Sequence, residues 1–85
     1  MTTYFLYILL CSDKSLYTGI TPDLDMRMAV HASGKGSKYV KSRMPFKLIY
    51  QEQFGNKSDA LKREMEIKSW SRREKIEKLG LDIFV

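Results

Sequence analysis

Arg27 and the chain's single histidine, His31, stand four positions apart in "LYTGITPDLDMRMAVH", directly after a Tyr-Thr-Gly. On a helix that spacing points both side chains the same way, so both can reach one point beside it. A guanidinium stays cationic at any working pH and can fork onto a phosphate, while an imidazole exchanges protons near neutrality. Leu24 shares the row and Met28 lies next to it, which places the row near a core edge. A solvated basic face is the alternative. Glu64 is a second candidate. It falls in the stripe Ala60, Leu61, Glu64, Ile67, with Lys68 alongside. That stripe should face a core, and an acid in it breaks the apolar pattern. A buried carboxylate is costly unless paired or bound to a cation. Two explanations stand side by side: an ion pair with Lys68, or a carboxylate presented from a rigid helix to a divalent metal. Tyr7, Tyr17 and Gly19 form the third group. A two-residue turn would put the tyrosines on opposite faces of a hairpin; an odd-length loop or a bulge puts them together. A three-residue Ser12-Asp13-Lys14 loop would set Tyr7 opposite Gly19, with space where a side chain would sit. Tyr4, Tyr39 and Tyr50 are assigned to packing.

The elements that must position these groups follow from the pattern. Residues 4–11 are an apolar run and residues 15–21 a second strand, joined as a hairpin by the polar "SDK". The first run is apolar on both faces, so it belongs in the middle of a sheet with helices on at least one side. Thr21 as N-cap, Pro22 at the first helical position and Asp23 in the first turn predict a helix that Gly34 stops. "GKGSKYVKSRMP" is a basic loop with room for a helical turn, closed by Pro45. In "FKLIYQEQF", residues 46–54, Phe46, Leu48, Tyr50 and Phe54 share one parity, the mark of a third strand. Asn56 or Ser58 caps a helix running to about Ser69. The box Ser71–Glu74 opens a last short helix that Gly80 ends. The order strand-strand-helix-strand-helix-helix predicts an α+β domain with a small antiparallel sheet.

Size and charge limit what such a domain does. Eighty-five residues make one domain, 1–85, with about 60–65% of the chain's surface buried. The lone Cys11 has no disulfide partner and sits in an apolar run, which suits a core thiol in a reduced, cytoplasmic setting. The opening "MTTYFLYILLC" lacks a basic leader, and its apolar run is too short to span a bilayer. The net charge is +5, and no acid occurs between Asp25 and Glu52, where Arg27, Lys35, Lys38, Lys41, Arg43 and Lys47 all fall. An acid-free basic stretch is the footprint of a polyanion partner.

The positions so far singled out also form a pattern. "FLY" at 5–7, "YTG" at 17–19, Arg27, His31 and Glu64 together resemble the GIY-YIG nuclease superfamily over essentially the whole chain. The likeness is greatest to its small stand-alone bacterial members, the YhbQ-like group. The resemblance implies a three-stranded antiparallel sheet flanked by helices, and Mg²⁺- or Mn²⁺-dependent endonucleolytic cleavage of DNA, in repair or processing. It implies Tyr7, Tyr17, Gly19, Arg27, His31 and Glu64 as the catalytic set, with Glu64 the metal ligand. Three departures stand out: Phe-Leu-Tyr replaces Gly-Ile-Tyr, Thr18 replaces an isoleucine, and no asparagine follows Asn56. In such a site Arg27 would hold a phosphate oxygen, and Tyr7 or Tyr17 would take the water's proton with help from His31. Tyr17 is the favoured base and Tyr7 the group holding the water, with Arg27 and the metal lowering the phenol's pKa. Lys35, Lys38, Lys41 and Arg43 would clamp the DNA backbone. No helix rich in Arg, Asn and Gln offers base readout, so selectivity should be for DNA shape, ends or single strands, in a double-stranded, branched or single-stranded partner, with a partner protein supplying any targeting. The alternative is a non-catalytic nucleic-acid-binding module that keeps the fold.

Overall fold

The computed structural model describes residues 3–83. The chain runs β1 (Tyr4–Cys11), β2 (Leu16–Thr21), α1 (Leu24–Ala32), α2 (Lys38–Lys41), β3 (Phe46–Phe54), α3 (Lys57–Lys68) and α4 (Arg72–Leu79). The sheet is antiparallel in the order β2-β1-β3. The apolar run takes the central place expected of it: Leu6, Tyr7, Ile8 and Leu9 are all fully buried. Alternation then splits them between two cores. Leu6 and Ile8 pack with Ile67 of α3, while Tyr7 and Leu9 pack with Val40 of α2. None of the described helices is long and apolar enough to cross a membrane.

The β1–β2 turn has the odd length that brings the tyrosines together. Cys11 N–H donates to Ser15 O at 2.9 Å and Lys14 N–H to Cys11 O at 3.0 Å. The loop is therefore Ser12-Asp13-Lys14, with Lys14 in the left-handed region at φ 72°. Tyr7 consequently pairs with Gly19, and Leu9 with Tyr17.

The first helix begins later than its sequence suggests. Its N-cap is Asp23, whose Oδ1 accepts from Met26 N–H at 3.0 Å. Thr21 instead ends β2, its Oγ1 accepting from Asp23 N–H at 3.2 Å. Both residues have capping side chains, and the one nearer the helical run wins. Gly34, at φ 80°, ends α1 as expected. The basic loop contributes α2, capped by Ser37, so the order is β-β-α-α-β-α-α. Asn56 caps α3, and the Ser71–Glu74 box and Gly80 bound α4.

Two packing expectations need correction. The single parity of β3 fails because Ile8 pairs with Tyr50 but Leu9 with Leu48, leaving Ile49 as a bulge. Phe46 and Leu48 therefore pack in the Tyr7 core, and Tyr50 and Phe54 in the Leu6–Ile8 core. In α3, Ala60 and Ile67 are buried but Leu61 is 38% exposed. Arg63 takes the inward place. Its Nε and Nη2 reach Glu52 on β3 at 3.0–3.1 Å and its Nη1 reaches Glu66 at 2.6 Å. A fork of this kind on a half-buried carboxylate fixes the rotation of the helix.

Candidate active site

Gly19 sits under the Tyr7 ring. A Cβ there would lie 2.6 Å from Tyr7 Oη and 2.7 Å from Cζ, so only a glycine lets the phenol cross this strand. Beyond Gly19 the Tyr7 hydroxyl meets His31 Nε2 at 2.9 Å. His31 projects from α1 into full burial, with ring centroids of Tyr17 and Phe46 at 5.6 and 5.9 Å. Gly36 closes over its other edge, where a Cβ would lie 2.7 Å from Nδ1. Arg27, one turn before His31, is half-buried beside the same phenol. The two side chains of the i,i+4 row thus converge on Tyr7.

Burial pushes the Tyr7 phenol up to about 12, with the neighbouring Tyr17 and the Glu64 charge also raising it and Arg27 pulling the other way. Arg27 does lower the Tyr7 phenol, but loss of hydration outweighs one half-buried cation and the net shift is upward. Burial, and then the Arg27 charge, holds His31 below its ordinary value. At neutral pH the pair is a protonated phenol and a neutral imidazole. Either imidazole tautomer completes their bond; the one protonated at Nδ1 leaves Nε2 to accept from the phenol. His31 Nδ1 has no hydrogen-bond partner among the described residues. Tyr17 differs from Tyr7. It is half-buried, and its hydroxyl bonds no protein group among the described residues.

Gly19→Ala should therefore destabilise the fold by roughly 1–3 kcal/mol, the usual cost of forcing a side chain into a filled space. Thermal unfolding of the variant is the check. An unchanged Tm would mean the Tyr7 ring is free to move aside and is not held by His31.

Glu64 makes the ion pair raised by its position. Its side chain is only 16% exposed and lies 3.2 Å from Lys68 Nζ, yet its charge also reaches Tyr7. Among the described residues no three His, Cys, Asp or Glu side chains come together as a metal cage. One nearly enclosed carboxylate at the site fits a hard ion that takes one or two carboxylates and otherwise water and phosphate oxygens, as Mg²⁺ does.

Of the four expected backbone contacts, Lys35, Lys38 and Lys41 are exposed and make no ion pair among the described residues. Arg43 is committed elsewhere. Its Nε donates to Asp13 Oδ2 at 2.9 Å, and its Cζ lies 3.8 Å above the Tyr39 ring. Tyr39 in turn packs on Tyr17 at 5.8 Å. Arg43 is therefore a brace behind Tyr17, tying the hairpin tip to α2, and its use as a backbone clamp is replaced by that role. Tyr39, Phe46 and Gly36 went unrecognised in the sequence. An aromatic residue in a basic loop is the only hint for Tyr39, and nothing local marks Gly36. A groove of about 370 Å³ runs from Arg27 past Pro22, Met26 and Val30 to Lys35 and Gly36.

Known proteins resemble the chain in sequence and fold. Residues 3–77 match the family described as GIY-YIG catalytic domain. A UPF0213 protein of Staphylococcus haemolyticus is 50% identical over 76 residues, 89% of this chain and 93% of that protein. The solution NMR structure of a UPF0213 protein from Bacillus halodurans has 45% identity and a TM-score of 0.62, covering 92% of this chain and 83% of that one. The solution NMR structure of an E. faecalis protein gives 34% identity and a TM-score of 0.68, covering 94% of this chain and 85% of that one.

Proposed function

Because the chain belongs to the GIY-YIG nuclease family, we propose that it is a DNA endonuclease dependent on Mg²⁺ or Mn²⁺. The observation that carries this reading is the cluster of Tyr7, His31 and Tyr17, with Tyr7 crossing Gly19 and Arg27 beside the same phenol. Arg27 holds a non-bridging phosphate oxygen through its fork and offsets the charge that grows there as water attacks. Tyr17, as phenolate, takes the water's proton and afterwards returns it to solvent, because its oxygen alone of the two is accessible and bonded to no protein group. Tyr7, fully buried and bonded to His31, is a positioning residue that fixes the floor beneath Tyr17 and Arg27. Glu64 holds the divalent ion, which when bound offsets negative charge on the phosphate and its leaving oxygen. Lys35, Lys38 and Lys41 contact flanking phosphates without reading sequence.

The test is incubation of the purified protein with duplex, nicked, branched and single-stranded DNA in Mg²⁺ or Mn²⁺, beside Tyr17→Phe. Cutting by the parent and not by Tyr17→Phe is the expected result. Equal background cutting by both would sink the reading. So would salt-sensitive binding without any cutting, which would make the chain a binding module.

A further inference from the structure

A second basic surface lies on the other face of the sheet. Leu10 and Lys47 are register partners on β1 and β3. Alternation from Tyr7 and Leu9 turns both toward the Leu6–Ile8 side. With Lys14 of the hairpin, Ile49 of the bulge, Arg72 of α4 and Ile83 beyond it, they line a groove of about 530 Å³, which also includes Asp82. Arg72 is fixed in it, its Nε donating to Lys14 O at 2.9 Å. Lys14, Lys47 and Arg72 make no ion pair among the described residues.

Three unneutralised cations, one carboxylate and three aliphatic side chains suit an anionic chain with apolar parts, as phosphates and sugars provide. The groove also continues the basic surface of the candidate site. Ser12 N–H donates to Arg43 O at 2.9 Å and Arg43 grips Asp13, so the chain from Lys41 to Arg43 abuts the hairpin tip that carries Lys14. We propose that this groove is a second polynucleotide site, holding another arm of the same DNA whose scissile strand lies over Tyr17 and Arg27. The proposal rests on the nuclease reading for the first arm only. A linear duplex, stiff over about 150 base pairs, engages one face of the sheet. A branched DNA has diverging arms and engages both.

Equilibrium binding in EDTA, where no cutting is needed, tests the groove apart from the activity. A three-way junction and a linear duplex would be titrated at several salt concentrations with the parent, Lys47→Gln, and Lys47→Gln/Arg72→Gln. Each phosphate contact contributes about 0.9 to the slope of log affinity against log salt. The double variant should therefore lose about 1.8 from its slope on the junction, again by that rule, and bind it several-fold more weakly, with the duplex unaffected. Lys47→Gln, an exposed strand position, should lose half of that and keep the parent's Tm, which guards against misfolding as the cause. An unchanged slope on the junction would overturn the groove, as would an equal loss on the duplex. So would displacement of the parent, but not the double variant, from an acidic polypeptide while junction binding stays equal. A parent that cuts DNA while the variants bind like it keeps the nuclease and loses the groove. A parent that never cuts while the variants lose junction binding does the reverse.

Discussion

Glu64→Gln should reduce DNA cutting by about 1,000-fold, the scale lost with a charge-stabilising group in a preorganised site. DNA affinity measured without turnover should hold or rise slightly, since a negative charge near phosphates is removed. The amide keeps the volume and the position on α3, so the fold is preserved. The lost ion pair with Lys68 costs little. Lys68 is more than half exposed, and pairs of that kind contribute only about 0.3–0.5 kcal/mol. Lys68→Met supplies the opposing control. It removes the cation that now neutralises Glu64, so Mg²⁺ should support cutting at lower concentration than in the parent. If Glu64→Gln cuts like the parent at saturating Mg²⁺, the carboxylate is a structural partner of Lys68 and nothing more.

How far the sequence alone reached differs between the fold and the site. The capping box at Ser71, the glycine stops at 34 and 80, and the central apolar strand are local signals, and local backbone chemistry decides them. The pairing of Tyr7 with Gly19 was legible only as one of two registers, because the loop length that decides between them was open. The bulge at Ile49 was not. It arises from two cores that both need side chains from β3, and no window of nine residues contains that demand. Arg63 misled for the same reason: its partner Glu52 is eleven positions away on another element, so the apolar pattern of α3 was counted without it. In the candidate site, the residue types were readable but the difference in burial between the two tyrosines was not. Tyr7 and Tyr17 look equivalent along the chain. Burial separates them: Tyr7 lies on the central strand β1 and Tyr17 on the edge strand β2.

That separation makes paired tyrosine substitutions informative. Tyr17→Phe should lose cutting by roughly 100- to 10,000-fold, the range for a missing general base, with stability nearly unchanged because its hydroxyl bonds no protein group. Tyr7→Phe should lose both. It leaves His31 Nε2 as well as Nδ1 unpartnered in full burial, and an orphaned buried group costs about 1–3 kcal/mol. The pH dependence of unfolding checks the same bond from both ends. Tyr7 is raised from 10.0 to about 12, so above pH 10 the unfolded chain ionises first. The parent should then lose up to roughly 3 kcal/mol as pH rises through 12. Tyr7→Phe should show no such step. His31 is lowered, so the unfolded chain binds its proton first as pH falls below 6.5. Stability present above that pH should decline on the acid side, through the folded-state value. Activity should decline with it, since a protonated His31 beside Arg27 can no longer accept from the Tyr7 hydroxyl. An alkaline step that persists unchanged in Tyr7→Phe would assign it to another phenol and undo the burial argument on which the choice of Tyr17 as base depends.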